Sequence, residues 1–303
     1  MKHFLNLIDC TAAEITGLLD SAARLKTARQ KGVPSQVLAG KVVALIFEKP
    51  SLRTRVSFEA GVAQLGGTSL YLAGSDVGLG WRETLADFSR TMSRYVDAMI
   101  FRVFSHKTLL GIQAASSVPV INGLSDESHP CQGLADLLTI REHCGDIAGK
   151  KFVFVGDGNN VARSLAVGCG RLGAEFVLAC PVGYGFEPIF VANYMKNVNP
   201  TRPVEINDPM AAVKGADIIY TDVWTSMGQE AEREERLRRF AGFQVNAKLV
   251  AAAGKQCKVL HCLPAHRGEE ITDEVVDGPQ SVVFDEAENR LHAQKAVLEL
   301  LFQ

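Results

Sequence analysis

"KVVALIFEKPSLRTRVSFEAGVAQLGGTSLYLA", residues 41–73, is the stretch that decides the fold class. It begins with a continuous apolar run over 41–48, continues through a helical pattern that ends at Gly66, and closes on a second short apolar run over 68–73. Continuous apolar runs are typical of parallel strands buried on both faces, and a helix usually connects two such strands. The stretch therefore predicts a strand, a helix and a second strand of one parallel sheet.

The same alternation of short apolar runs and helical patterns recurs along the whole chain. Further strands are predicted at 98–104, 118–123, 150–157, 175–181, 216–224, 257–264 and 281–287. The predicted fold class is α/β, with two domains, each a parallel β-sheet flanked by helices, joined by interdomain helices. A chain of 303 residues exceeds one ordinary core, which also favours two domains.

Domain limits follow from where these runs cluster. We expect the first domain to comprise residues 1–134 together with a C-terminal helix over 289–303, and the second to comprise 148–284. A helix over 129–146 should link them, because its apolar residues have helical spacing and Gly145 can end it.

Composition excludes several classes of protein. A formal net charge of −2 argues against a nucleic-acid binder, and no apolar run approaches the ~20 residues that cross a bilayer. The N-terminal segment lacks the apolar core of a signal peptide. Seven cysteines without a CxxC pair are typical of free thiols in a cytoplasmic protein. We expect small-molecule partners, no nucleic acid and no membrane.

The turn after the first predicted strand is a candidate anion site. Ser51, Arg53, Thr54 and Arg55 open the following helix, whose first N–H groups and dipole favour a bound anion. Hydroxyls and guanidinium groups add donors that suit a phosphate. The alternative is an ordinary capped helix start on the surface. The glycine and lysine spacing of a P-loop is absent.

A second polar cluster is "HCLPAHRG", residues 261–268, directly after a predicted strand. His261, Cys262 and His266 could ligate a metal, Cys262 could be a nucleophile, or the segment could be a polar loop that holds a substrate. A zinc site requires four nitrogen or sulfur ligands, and no second Cys/His cluster at ligand spacing is present, which disfavours metal. The other two interpretations stay open on the residues alone.

Taken together, four motifs resemble one family. Residues 51–55 (SLRTR), 129–132 (HPCQ), 222–228 (DVWTSMG) and 261–264 (HCLP) resemble the aspartate/ornithine carbamoyltransferase family, and its ornithine-using members in particular. The resemblance extends in the expected order from the first helix to residues 285–296. It implies two α/β domains, of which the first binds carbamoyl phosphate and the second ornithine, and a homotrimer or a multiple of trimers.

The resemblance also implies roles for residues of the first domain. Phosphate would be held by Ser51, by the backbone N–H of Leu52, and by Arg53 and Thr54. The donors to the carbonyl oxygen, on which charge grows as the carbon becomes tetrahedral, would be Thr54, Arg102 and His129. The full implied carbamoyl phosphate set is Ser51, Leu52, Arg53, Thr54, Arg102, His129, Gln132, Cys262, Leu263 and Arg290, with Gln132 on the carbamoyl amide.

For ornithine, the resemblance implies Asn160, Asp222, Ser226 and Met227. Asp222 would pair with the α-ammonium group, and Cys262 and the Leu263 carbonyl would lie beside the side-chain amine. An alkylammonium has a pKa of about 10, so this amine must lose a proton before it attacks. The implied catalytic residues are Arg102, His129 and Cys262. Attack is direct, so Cys262 would form no covalent intermediate, and neither a cofactor nor a metal is expected.

One stretch departs from the family. In many ornithine enzymes the loop that corresponds to 73–87 carries a glutamine that reaches carbamoyl phosphate in a neighbouring subunit, and here that place falls on Gly78, with Trp81 and Arg82 close by. The nearest alternatives are a carbamoyltransferase that uses N-acylated ornithine, putrescine or aspartate. A catalytically silent paralogue and a nicotinamide dehydrogenase are more distant. The dehydrogenase rests only on Gly156 and Gly158 after a strand, a weak signal without the third glycine.

Overall fold

The structure is a computed structural model that describes residues 1–226 and 228–303. It divides into two compact units, which are Met1–Leu138 with Glu288–Gln303 and Thr139–Ala287. The division falls within two helices, α6 (Pro130–Cys144) and α13 (Val283–Phe302). No helix of the described residues is long and apolar enough to cross a membrane.

The first unit contains a four-stranded parallel sheet in the order β2-β1-β3-β4. Its strands are β1 (Val42–Phe47), β2 (Thr68–Ala73), β3 (Ala98–Arg102) and β4 (Val120–Leu124). Its helices are α1 (Ala12–Gln30), α2 (Leu52–Gln64), α3 (Gly74–Val77), α4 (Leu85–Met92) and α5 (His106–Ala115), after a short 3-10 helix over Leu7–Asp9. The side chains of β1 from Val43 to Phe47 are buried, as the continuous apolar run predicts.

The second unit contains a five-stranded parallel sheet in the order β7-β6-β5-β8-β9. The strands are β5 (Lys151–Val155), β6 (Glu175–Ala179), β7 (Val204–Ile206), β8 (Ile218–Thr221) and β9 (Lys258–His261). The helices are α7 (Asn160–Arg171), α8 (Pro188–Asn197), α9 (Pro209–Ala212), α10 (Arg233–Phe240), α11 (Ala247–Ala253) and α12 (Asp273–Val276), with 3-10 helices at Glu230–Glu232 and Ala241–Phe243.

The α/β class with two parallel sheets is confirmed, and two strand assignments need correction. The predicted strand at 281–287 is wrong: Ser281 makes one isolated bridge to Val259, and α13 begins at Val283. Asp285 and Glu286 in the first turn favour the helix because they complement its positive end. In addition, β7 is an edge strand of only three residues that the sequence pattern missed.

Candidate functional site

The N-terminus of α2 follows the carboxyl end of β1 and is capped by Ser51. The Ser51 hydroxyl accepts from the backbone N–H of Thr54 at 3.3 Å and donates to the Thr54 hydroxyl at 3.1 Å. Thr54 is fully buried, whereas the side chain of Leu52 is exposed. The cap therefore holds two hydroxyls at a helix end whose first N–H groups point outward, which is the arrangement that binds anions.

Two arginines in this turn have different surroundings. Arg55 donates from Nε to Glu59 at 3.2 Å, and its guanidinium carbon lies over the Tyr71 ring, 3.7 Å from the ring centroid. The Nε atom of Arg53 is buried and has no hydrogen-bond partner among the described residues, and none of their carboxylates pairs with it. Arg53 is therefore the arginine of the pair that can receive an anion, whereas Arg55 is already engaged.

Besides Thr54, three buried donors of the first unit lie near this helix end. Arg102 ends β3, His129 precedes α6, and Arg290 lies in α13 and donates to the Thr54 hydroxyl at 2.5 Å. Burial, and then the charges of Arg290 and Arg102, hold the pKa of His129 well below its ordinary value. His129 is therefore a neutral imidazole between two cations, able to donate a hydrogen bond without adding charge.

The first turn of α6 carries two more members of the HPCQ motif. Gln132 is fully buried and donates from Nε2 to Asp136 at 2.8 Å, which fixes the orientation of its amide. Burial raises the pKa of the Cys131 thiol to about 12, so this cysteine is a packing residue rather than a nucleophile. The structure thus brings the motif residues 129 and 132 into the buried interior at one end of the helix.

In the second unit, Asp222 follows β8 and is bonded on both oxygens. Its Oδ1 accepts from the Cys262 thiol at 3.0 Å and from the N–H of Val223 at 2.8 Å. Its Oδ2 accepts from the amide of Asn159 at 3.0 Å. Asn159 also caps α7 by accepting from the N–H groups of Val161 and Ala162, each at 3.0 Å. The ends of β8, β9 and α7 therefore meet at one carboxylate.

Sequence reasoning missed Asn159 and the ion pair between Arg236 and Asp157. The tandem asparagines at 159 and 160 before a helical pattern were the available signal, because asparagine is a preferred helix cap. Arg236 donates to Asp157 at 2.8 Å and to the carbonyl of Trp224 at 3.0 Å. This buried arginine ties the 222–226 segment to α10.

The predicted ornithine residues that the structure describes, Asn160, Asp222 and Ser226, belong to the second unit. Asn160 is the first residue of α7, next to the capping Asn159. The N–H of Ser226 donates to the side chain of Gln229 at 3.0 Å. Met227, the fourth predicted residue, lies outside the described residues. Cys262 and Leu263, which are also expected to contact carbamoyl phosphate, follow β9 in this same unit.

The segment after β9 is organised by His261, which is fully buried. Its Nδ1 accepts from the N–H of Leu263 at 2.9 Å, so the ring proton is on Nε2, which lies 3.0 Å from Glu270. Glu270 also accepts from the N–H of His266 at 2.6 Å. Leu263 has a φ of 56°, which an L-residue adopts only when its surroundings enforce it, and a cis bond joins it to Pro264.

Metal ligation was one alternative for this segment. Ligand atoms of Asp222, His261 and Cys262 lie within 4.8 Å of one another. Both ring nitrogens of His261 are engaged, by Leu263 and Glu270, and the Cys262 thiol donates to Asp222. Each group already has a protein partner, so the arrangement suits a hydrogen-bonded substrate loop better than a metal centre.

Gly78, the departure in the 73–87 loop, has a structural reason to be glycine. It ends α3 with a left-handed φ of 64°. A Cβ atom there would lie 2.6 Å from the Trp81 ring, too close for any side chain unless Trp81 moved. Trp81 is largely exposed, and Arg82 donates to the Asp76 carbonyl at 3.0 Å. The left-handed φ at 78 and the position of the Trp81 ring therefore both disfavour a glutamine in this loop conformation.

Comparison with known proteins places these units among carbamoyltransferases. Residues 2–142 match the family model of the aspartate/ornithine carbamoyltransferase carbamoyl-P binding domain, and residues 148–301 match that of the Asp/Orn binding domain. The chain is 54% identical to an ornithine carbamoyltransferase of Pyrococcus abyssi over 99% of this chain and 95% of that one. It is 53% identical to an anabolic ornithine carbamoyltransferase of Pyrococcus furiosus over 99% and 96%. The solved structure of ornithine carbamoyltransferase from Pyrococcus furiosus superposes with a TM-score of 0.95 at 52% identity, over 99% of this chain and 97% of that one.

Proposed function

The chain belongs to the aspartate/ornithine carbamoyltransferase family, and from that premise we propose how it carries out its reaction. It transfers the carbamoyl group of carbamoyl phosphate to the side-chain amine of L-ornithine, giving L-citrulline and phosphate. One observation carries the proposed mechanism: Thr54, Arg102, His129 and Arg290 form a buried cluster of donors at the capped end of α2, where Arg53 has no acidic partner among the described residues.

In this proposal the phosphate group lies at the N-terminus of α2. The Ser51 hydroxyl and the N–H of Leu52 donate to its oxygens, and Arg53 supplies a charge-assisted fork. Thr54 is placed by the Ser51 hydroxyl and by Arg290, so its own donor direction is constrained. The leaving group stays anionic throughout the reaction, and these contacts hold it both before and after the bond to carbon breaks.

The carbonyl oxygen is the atom on which negative charge grows. Arg102 and His129 donate to it together with Thr54, and Gln132 holds the carbamoyl amide. A neutral His129 suits this position because it donates a hydrogen bond while the two neighbouring guanidinium groups supply the positive charge. Donors that are fixed in advance at such an oxygen are usually the largest catalytic contribution of side chains.

Ornithine is bound by the second unit in this proposal. Asn160, Ser226 and Met227 hold its α-amino acid end, and Asp222 is the anionic partner of its α-ammonium group. Because the Asp222 carboxylate also accepts from the Cys262 thiol at 3.0 Å, it orients Cys262. Cys262 and the carbonyl of Leu263 then lie beside the side-chain amine. Its ammonium first loses one proton to solvent, and the neutral amine attacks the carbonyl carbon. As the bond from carbon to the phosphate oxygen breaks, the attacking nitrogen gives up a second proton, which the departing phosphate takes. Cys262 and Leu263 also contact carbamoyl phosphate when both substrates are bound.

We also propose a cytoplasmic enzyme that assembles as a homotrimer or a multiple of trimers. All seven cysteines are free thiols in the structure, which suits a reducing compartment. The trimer is proposed from the family resemblance, and the 73–87 loop with Trp81 and Arg82 is the proposed contribution to a neighbouring site. Light scattering on the purified enzyme measures the mass directly.

A single-turnover experiment tests direct attack. With carbamoyl phosphate alone, the enzyme should release no stoichiometric burst of phosphate and gain no carbamoyl group in its intact mass. On addition of ornithine, phosphate and citrulline should appear in equal amounts. A burst of one phosphate per site before ornithine is added, with a carbamoyl group on Cys262, would contradict the proposal.

A further inference from the structure

A pocket with a cavity volume of about 240 Å³ lies in the first unit, apart from the residues assigned to carbamoyl phosphate. It is bounded by the C-terminal ends of α1 and α2, by the segment over 32–36, and by α13. One water occupies ~30 Å³ of the liquid, so the cavity can accommodate a ligand of several heavy atoms.

Lys295 lines this pocket although its residue is only 2% exposed. Its ammonium donates to the side-chain carbonyl of Gln64 at 3.1 Å and forms no ion pair among the described residues. Glu299 is the acid whose charge acts on Lys295, and its carboxylate already accepts hydrogen bonds from Ser21 and Arg24. Lysines are rarely this buried unless they are paired, because desolvation of an uncompensated charge is costly.

A second cation, Arg29, lines the same pocket from α1. Its charge adds to burial in lowering the pKa of Lys295, and the described residues offer Arg29 no carboxylate. The pocket lining contains no aspartate or glutamate, whereas Ser35 and Gln36 contribute polar side chains. Arg29 is exposed and Lys295 is buried, and with no acid in the pocket lining an anion placed between them would offset their repulsion.

The close approach of α13 to α2 fixes the position of Lys295. A Cβ atom on Gly61 of α2 would lie 3.3 Å from Cγ of Lys295 and 3.6 Å from Leu291. Glycine at 61 therefore lets the two helices pack closely and restrains the stem of Lys295, while Gln64 accepts from its ammonium.

We propose that this pocket binds a small organic anion, whose carboxylate or phosphate group is held by Lys295 and Arg29. The apolar side chains of Leu25, Val33 and Pro34 contact its short aliphatic body. A ligand that also carries an ammonium or guanidinium group is disfavoured, because no acid lines the pocket. The site therefore selects against ornithine, and none of Ser51, Arg53 or Arg290 takes part in it.

Titration calorimetry on the intact chain tests this assignment, with butyrate and inorganic phosphate as separate probes. Lys295→Met and Arg29→Gln should each weaken butyrate binding at least tenfold. Lys31→Gln removes a neighbouring exposed charge outside the pocket lining, and Arg53→Ala removes a charge of the carbamoyl phosphate site, so neither should change butyrate affinity. Phosphate should bind at two sites. Arg53→Ala should abolish binding at one of them, and Lys295→Met should abolish binding at the other.

The outcomes divide clearly. Binding of either probe that depends on both Lys295 and Arg29 supports the site, and phosphate binding without butyrate binding identifies free phosphate as the ligand type. No saturable binding of either probe, or an affinity that either Lys295→Met or Arg29→Gln leaves unchanged, overturns the proposal. If Lys295→Met does not fold, Arg29→Gln decides, because that side chain is exposed and tolerates substitution.

Discussion

Arg53 and Arg55 have different surroundings, and the difference favours Arg53 as the proposed anion-binding residue. The sequence places two arginines at the start of α2, and their types give no reason to prefer either. The structure distinguishes them because Arg55 is held by Glu59 and Tyr71, whereas no described carboxylate pairs with Arg53. A net charge of −2 gives no hint of an anion site, since the cations that form it are local.

We expect Arg53→Ala to weaken carbamoyl phosphate binding by ~10- to 100-fold, since one charge-assisted fork contributes ~1.5–3 kcal/mol. Arg55→Ala is the matched control and should change the affinity less than threefold. Equilibrium titration with a stable phosphonate analogue of carbamoyl phosphate measures both. Equal losses in the two variants would show that the assignment of the phosphate to Arg53 is wrong.

Cys262 is predicted to place the attacking amine rather than to react with the carbamoyl group. Cys262→Ala should therefore raise the KM for ornithine and lower kcat while leaving residual activity, because the donors to the carbonyl oxygen remain. It should also shift the pH at which activity reaches half its maximum. Steady-state kinetics over a pH series measure these effects, and a variant with wild-type constants and pH profile would rule out the role.

His129 should make stability depend on pH in a defined direction. Its pKa in the folded chain is lowered by burial and by two guanidinium groups, so below pH ~6.5 the unfolded chain takes up a proton that the folded chain does not. Stability should therefore fall as the pH drops below this value and be unaffected by this group above it. Uptake of one such proton by the unfolded chain lowers the free energy of unfolding by up to about 1.4 kcal/mol for each pH unit.

Urea unfolding at pH 7.5, 6.5 and 5.5 tests this dependence. His129→Gln should lose less stability on acidification than the wild type does. His266→Gln removes an exposed histidine and should follow the wild type. If the two variants show the same dependence, the buried neutral state of His129 does not hold.

At the scale of elements, the segment after β9 is a loop whose shape depends on residues that do not touch substrate in the proposal. Glu270 accepts from His266 N–H and lies 3.0 Å from Nε2 of His261, and His261 in turn holds the Leu263 N–H. The left-handed φ of Leu263 is maintained by this chain of contacts. The HCLP motif ends at Pro264 and does not include Glu270, six positions later, although Glu270 bonds both His261 and His266.

Glu270→Ala should leave the buried Nε2–H of His261 and the partly buried N–H of His266 without their acceptor, and the loss at the buried group costs about 1–3 kcal/mol of stability. We expect the KM for ornithine to rise several-fold while the KM for carbamoyl phosphate stays within twofold. Glu270→Gln keeps one carbonyl oxygen as an acceptor and should show a much smaller change. Thermal unfolding and two-substrate kinetics measure this, and a proportional rise of both KM values in Glu270→Ala would argue against a specific effect on the loop.

Elements with strong patterns were predictable, and those that depend on tertiary contacts were not. Eight of the nine strands correspond to predicted apolar runs, since buried parallel strands are continuously apolar. The apolar run at 281–287 was predicted as a strand because Val282 and Val283 are both apolar and buried where α13 begins. A run this short shows no periodicity that distinguishes a helix start from a strand. The three-residue β7 forms at a sheet edge through pairing with β6 alone.

At the scale of the whole molecule, the proposed site residues come from distant parts of the chain, and motifs rather than periodicity predicted them. Thr54 and Arg290 are 236 positions apart and share one hydrogen bond, which no local pattern reports. Asn159 was missed for the same reason, because its contact with Asp222 is visible only in three dimensions. The chemistry of the site depends on the fold, although the fold class itself follows from local patterns.

A comparison of amine acceptors shows whether the chain carbamoylates the side-chain amine of free ornithine. With carbamoyl phosphate held constant, initial rates of phosphate release are measured with L-ornithine, N-acetyl-L-ornithine, putrescine and L-aspartate, and the carbamoylated products are identified by mass spectrometry. We predict citrulline as the product and a kcat/KM for ornithine at least a hundredfold above that of every other amine. A higher kcat/KM for any of the other three would contradict the account.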